Sequence, residues 1–138
     1  MIVVDASVAA KWFFADERDA RADAVLDRLQ AGESAHAPAL FRWEIENMFL
    51  SAERSGRIDA TEVEAALEML RELPIRLEAP GDRFFTGTEV RLAQAYALTV
   101  YDAAYLAAAA NLAADLATAN ALLAHAARDL GIRAALVD

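Results

Sequence analysis

The chain has 138 residues, a length that suits one domain with a single core. It contains no cysteine and only two histidines, which excludes disulfides and thiolate metal sites, argues against a histidine-built zinc site and favours a reducing compartment. The net charge of −9 argues against a plain RNA-binding module. It does not exclude a nuclease, because acidic residues gathered around bound cations present a less negative face.

The hydrophobic pattern does not predict a membrane protein. No apolar run reaches the roughly 20 residues of a membrane span. The first apolar segment lacks the basic start of a signal peptide, and Asp5 interrupts it almost at once. We therefore expect a cytoplasmic protein without membrane contact.

Strand-like and helix-like segments alternate along the chain. The predicted strands cover residues 2–4, 35–37, 75–78, 116–118 and 133–137. Predicted helices cover residues 6–14, 18–31, 84–97 and 120–130, and the segment "TVYDAAYLAAAANLAAD". The segment "PALFRWEIENMFLSAERSG" predicts another helix, with Pro38 in its first turn. The segment "DATEVEAALEMLREL" predicts one more, with a capping box at Thr61 and Glu64. This order predicts one α/β domain over residues 1–138, with a mostly parallel sheet between helices and right-handed crossovers.

Polar residues follow two of the predicted strands. Asp5 ends the first strand and Asn120 comes just after the fourth. In open parallel sheets the ligand site lies beyond the carboxyl ends of the strands. We therefore expect these side chains to converge from distant parts of the chain.

Three acids face the predicted core, and each also has an ordinary structural explanation. Asp5 could cap the helix that follows it. Glu44 shares a helical row with Leu40 and Met48 beside an apolar stripe, where a glutamate can also extend to water. Asp102 begins the most apolar helix and could be its cap.

If the three acids meet, their repulsion needs an offset. Two unit charges about 4 Å apart repel by roughly 4 kcal/mol at an effective dielectric of 20, so three close carboxylates would cost on the order of 10 kcal/mol. A domain stable by about 5 to 15 kcal/mol cannot easily carry that cost. Protonation, an arginine or a divalent cation would relieve it, and oxygen ligands suit Mg²⁺ or Mn²⁺.

Four segments, "IVVDASVAAKWFF", "PALFRWEIENMFL", "LTVYDAAYLAAAANL" and "LATANALL", together resemble PIN-domain ribonucleases, most closely the bacterial VapC-type toxins. The resemblance spans essentially the whole chain and implies a PIN-like three-layer fold. It implies that Asp5, Glu44 and Asp102 bind a catalytic Mg²⁺ or Mn²⁺ ion. Ser7, Asn47 and Thr118 would be supporting polar residues.

The same resemblance implies RNA as substrate, a homodimer, and a VapB-like antitoxin that obstructs the site. One position departs from the family pattern, because Asn120 stands where many members have a fourth acid. Its amide oxygen could still bind a cation or orient a water, but it brings no charge, which leaves a two-metal mechanism in doubt.

Trp43 projects from its predicted helix opposite the apolar stripe, so we expect it to contact an antitoxin or a second protomer. Two alternatives to a toxin stay open at this point. One is a PIN-like RNA-processing nuclease that has no antitoxin. The other is a noncatalytic α/β interaction module.

Overall fold

The fold is built on a sheet of five parallel strands. The computed structural model describes residues 1–79 and 85–137. Its strands are β1 (Ile2–Val4), β2 (Ala35–Pro38), β3 (Ile75–Glu78), β4 (Asp115–Thr118) and β5 (Ala134–Leu136), in the order β3-β2-β1-β4-β5. Every strand pair is parallel, so all carboxyl ends lie at the same edge.

The sequence of the central strand β1 accounts for its burial. Ile2, Val3 and Val4 are β-branched and fully buried, as expected for a parallel strand that is covered on both faces. In register, Val3 lies opposite His36 of β2 and Leu116 of β4. The chain turns in opposite directions on the two sides of β1, so the topological switch point lies between β1 and β4.

Helices cover both faces of the sheet. They are α1 (Ala6–Phe13), α2 (Ala20–Gln30), α3 (Leu40–Arg54), α4 (Ala60–Glu72), α5 (Thr88–Tyr96), α6 (Val100–Leu112) and α7 (Ala121–Asp129). Right-handed crossovers put α1 to α4 on one face, where α1 packs on α2 and α3, and α5 to α7 on the other. No helix in the described ranges combines the length and the apolar character needed to cross a membrane.

The predicted α/β architecture is confirmed, and most predicted boundaries agree with the structure within two residues. The helix predicted to start at residue 84 begins at Thr88, and residue 84 lies outside the described residues. The prediction of Pro38 in a helical first turn is wrong. Pro38 is the last residue of β2, aligned with Glu78, a strand end where its missing N–H is tolerated.

The predicted capping box is also misplaced by two residues. The carboxylate of Asp59 accepts a hydrogen bond from the N–H of Glu62, and the Glu62 side chain accepts one from the N–H of Asp59. Thr61 and Glu64 are exposed positions of α4. Asp is as good an N-cap as Ser or Thr. The Asp59–Glu62 pair, which comes earlier in the chain, therefore caps the first free N–H groups of α4.

This cap gives a stability prediction. Asp59→Ala removes the hydrogen bond from the N–H of Glu62 to the Asp59 carboxylate and should lower the free energy of unfolding by about 1 kcal/mol. Thr61→Ala is the matched control and should cause no loss, because alanine has the higher helix propensity. Urea unfolding of both variants is the measurement, and equal losses would contradict this cap assignment.

Candidate active site

Asp5 is held at the centre of the carboxyl edge of the sheet. It follows β1 directly and is only 5% exposed. Its Oδ2 accepts a hydrogen bond from the Thr118 hydroxyl at 2.7 Å, and its Oδ1 accepts one from the N–H of Ser7 at 3.2 Å. The second bond makes Asp5 the N-cap of α1, so the capping explanation is correct but incomplete.

Two hydroxyl side chains tie Asp5 to the end of β4. Thr118 is fully buried, and its Oγ1 also accepts a hydrogen bond from the N–H of Asn120 at 3.0 Å. The Ser7 hydroxyl oxygen accepts one from the N–H of Ala119 at 3.1 Å. The Thr118–Asp5 and Ala119–Ser7 bonds join residues more than 100 positions apart in the chain. The two hydroxyl residues therefore lie beside Asp5, at the switch point.

Glu44 reaches the same region from α3 through a tyrosine. The Tyr105 hydroxyl donates a hydrogen bond to Oε1 of Glu44 at 2.6 Å and accepts one from the N–H of Ala6 at 3.4 Å. Tyr105 is fully buried in α6, and the sequence analysis did not select it. The available signal was a tyrosine within an alanine-rich buried helix, because a buried phenol requires a polar partner.

Asp102 lies in the first turn of α6, but it is not the helix cap. The Thr99 hydroxyl accepts a hydrogen bond from the N–H of Asp102 at 3.0 Å, so Thr99 is the cap and the capping explanation of Asp102 is wrong. Oδ2 of Asp102 instead accepts a hydrogen bond from the Asn120 amide nitrogen at 3.0 Å. Asp102 therefore faces the end of β4.

Asn120 has a different local role from a fourth acid. Its amide oxygen accepts hydrogen bonds from the N–H groups of Leu122 and Leu123 and caps α7. Its amide nitrogen donates to Asp102. The side chain thus uses both ends in structural bonds, and it orients Asp102.

The charges of the three acids act on one another. Burial raises the pKa of Asp5 above its ordinary value, against the hydrogen bonds from Thr118 and Ser7, and the charge of Asp102 raises it further. Burial also raises the pKa of Glu44, and the charges of Asp5 and Asp102 add to that rise. Burial, the charge of Asp5 and the bond to Glu44 raise the pKa of Tyr105. The charge of Asp102 therefore acts on both Asp5 and Glu44.

Two further predicted residues are placed apart from this group. Asn47 is exposed and makes no hydrogen bond to another described residue, so it does not brace the acids. Trp43 is 62% exposed on α3, as its position on the helix predicted.

Within residues 1–79 and 85–137, no three acidic or histidine side chains have the arrangement of a metal site.

Comparison with known proteins identifies the family to which the chain belongs. The PIN domain family matches residues 2–129, so the chain belongs to this family. It is 30% identical over 124 residues to Ribonuclease VapC3 of Pyrobaculum aerophilum, across 90% of this chain and 92% of that protein.

Solved structures share the fold. The crystal structure of PAE2754 from Pyrobaculum aerophilum has a TM-score of 0.68 at 22% identity, over 97% of this chain and 88% of that one. A toxin-antitoxin complex from Klebsiella pneumoniae has a TM-score of 0.60 at 17% identity, over 87% of each chain. The PIN-like three-layer fold is thereby confirmed.

The raised pKa of Glu44 gives a prediction on pH and stability. A carboxyl whose pKa is higher in the folded state destabilises the fold once both states are ionised, and this cost disappears below its ordinary pKa. In the presence of EDTA, Glu44→Gln should therefore be more stable than wild type at pH 7.5, with the difference shrinking toward pH 4. Thermal unfolding across pH measures it.

The matched control is Glu46→Gln on the same helix. Glu46 pairs with Arg42 near the surface, so its removal should give little change, as is usual for such pairs. A pH profile of Glu44→Gln that coincides with the profile of Glu46→Gln would contradict the raised pKa of Glu44.

Proposed function

We propose that this protein is an endoribonuclease that hydrolyses RNA phosphodiester bonds with a divalent cation, as the toxin of a type II toxin-antitoxin pair in the cytoplasm. The observation that carries the proposal is the convergence of Asp5, Glu44 and Asp102 from three distant elements at the carboxyl edge of the sheet, where hydrogen bonds from Thr118, Tyr105 and Asn120 hold them. Membership of the PIN domain family and the likeness to Ribonuclease VapC3 support it.

The donor set fits a hard cation. All three acids offer carboxylate oxygens, which suit Mg²⁺ or Mn²⁺ rather than a thiophilic metal. Oε2 of Glu44 and Oδ1 of Asp102 have no hydrogen bond within the described part of the chain, so both remain able to bind an ion. Asp5 uses one lone pair on each oxygen, and each carboxylate oxygen has a second.

The chemistry that such a cation supplies when bound is activation of water and stabilisation of negative charge on the phosphoryl oxygens. The residues of the chain provide geometry. Thr118 and Ser7 fix Asp5, Tyr105 fixes Glu44, and Asn120 fixes Asp102, so each carboxylate has a neutral hydrogen-bond partner. Burial raises the pKa of both Asp5 and Glu44, which favours either carboxylate as a proton acceptor.

The proposed partners follow from the toxin assignment. The solved toxin-antitoxin complex with the same fold supports a VapB-like antitoxin as partner, and we further propose that the protein forms a homodimer. Trp43 is our candidate contact in one of these interfaces. Trp43 lines a groove together with Leu40, Ala104, Ala108 and Leu112. These side chains form an apolar surface next to the exposed indole, which a partner could bind.

Cleavage of RNA tests the catalytic proposal. Wild type should cut single-stranded RNA with Mn²⁺ or Mg²⁺ and lose this activity in EDTA. Asp5→Asn and Asp102→Asn should each lower the rate by about 100-fold or more, since each removes a proposed ligand. Asp129→Asn is the control, because Asp129 is exposed and bonds only Tyr96 among the described residues. Sequencing of the RNA ends locates the cuts.

The same variants report cation binding without activity. Saturation at 100 times the dissociation constant stabilises the fold by about 2.7 kcal/mol, so Mn²⁺ should raise the Tm of wild type by several degrees. Asp102→Asn should show a much smaller rise. Equal rises in both proteins would refute Asp102 as a ligand.

Trp43→Ala tests the interface. Loss of a buried aromatic anchor costs about 2 kcal/mol or more, equivalent to at least 10-fold in affinity. The variant should weaken self-association in sedimentation, or binding of the protein encoded by the adjoining gene, by that factor without a change in Tm. Arg42→Ala, at the neighbouring exposed position, is the control. If both associations of Trp43→Ala equal those of wild type, Trp43 is not a contact.

A further inference from the structure

A second feature opens directly from the candidate active site. A groove of about 580 Å³ runs between α1 and α3 and begins at Ser7 and Ala119. Ser7 and Ala119 are bonded to each other beside Asp5, so the groove is continuous with the site. Its floor is made of small and apolar side chains, namely Ala10, Phe14, Met48 and Ala52.

The walls of the groove are polar. On α1, Ser7 and Lys11 are four residues apart, so they lie on one face of that helix. The same spacing relates Asn47 and Ser51 on α3 and Ser55, the residue that caps its carboxyl end. Glu44 lies three residues before Asn47. The polar row on α3 therefore continues from the candidate site for 11 residues, or about 16 Å along the helix axis.

The charge of the groove differs from that of the rest of the molecule. Lys11 is the single lysine of a chain with a net charge of −9, and it forms no ion pair within 4 Å with another described residue. The N–H of Arg21 lowers the pKa of Asp19, and the charge of Lys11 adds to that lowering. Arg57, the other cation in the groove, is neutralised by Asp16 at 2.8 Å and Glu17 at 3.0 Å. Lys11 therefore keeps its charge available beside an otherwise acidic site.

We propose that this groove binds the RNA strand next to the cleaved phosphodiester, with Lys11 neutralising one phosphate. Asn47 and Ser51 offer hydrogen bonds to the phosphate, ribose or base edges. The length of about 16 Å suits a few nucleotides of a single strand. This inference rests on the proposed ribonuclease function and assigns Asn47 to the RNA rather than to the cation.

Binding of a labelled single-stranded RNA in EDTA, where no cleavage occurs, tests the groove. Fluorescence anisotropy is measured over a range of salt concentrations. Lys11→Ala should weaken binding about five- to tenfold at low salt and reduce the slope of log K against log salt by about 0.7, the value for one phosphate of a single strand. Lys11→Arg should bind as wild type does, and Asn47→Ala should weaken binding without changing the slope.

Arg133→Ala is the matched control, since it removes one positive charge at the opposite end of the sheet, just before β5. It should leave affinity and slope unchanged. Lys11 and Asn47 are incompletely buried, so the variants should keep the wild-type Tm. Equal losses in Lys11→Ala and Arg133→Ala, or no RNA binding by wild type, would overturn the proposal.

Cleavage kinetics with Mn²⁺ separate this proposal from the ribonuclease assignment. Lys11→Ala should raise KM about five- to tenfold with kcat near wild type, because Lys11 binds the strand outside the reacting phosphate. If wild type cleaves RNA and Lys11→Ala matches it in KM and affinity, the groove is not the RNA site and the ribonuclease assignment stands. If wild type cleaves no RNA, the ribonuclease assignment fails. The anisotropy measurements still show whether the groove binds RNA.

Discussion

The structure depends on a carboxylate buried at the centre of a parallel sheet. Asp5 ends the central strand, and the hydroxyl of Thr118 satisfies it from the neighbouring strand across the switch point. Removal of this carboxylate from water is costly unless hydrogen bonds replace the lost solvent. The pairing of β1 with β4 supplies them, so the bond that stabilises Asp5 also fixes the relative position of the two halves of the chain.

The partners of the acids determine what the site can attract. The side chains of a tyrosine, a threonine and an asparagine, together with the backbone N–H of Ser7, hold the three carboxylates in place, and all of these donors are uncharged. Neutral donors orient the oxygens without cancelling their charge, so the negative potential is preserved for a cation from solution. The same choice opposes the binding of a phosphate at the three acids when no ion is bound, but not in the adjoining groove. This is why a lysine in the adjoining groove matters for a chain with a net charge of −9.

Much of the fold could be predicted from the sequence, because the alternation of short apolar strands with amphipathic helices leaves few α/β topologies. The position of Asp5 followed from the end of a strand, whereas Thr118 was selected only through the resemblance to a family. Tyr105 was not found, since one helix pattern does not reveal a partner 61 residues away. The roles of Asn47 and Asn120 depend on which neighbour each amide faces. Helix caps were misassigned for the same reason, because several polar residues competed for one helix start.

The strand order also governs when the molecule can act. Strand β1 is made first, yet its neighbour β4 is separated from it by more than 100 residues, and Thr118 and Asn120 follow. A nascent chain on the ribosome therefore holds Asp5 and Glu44 without the groups that complete their surroundings. Such a contact between distant segments forms late in folding. An enzyme that attacks RNA in its own cell would thus stay inert throughout most of its synthesis.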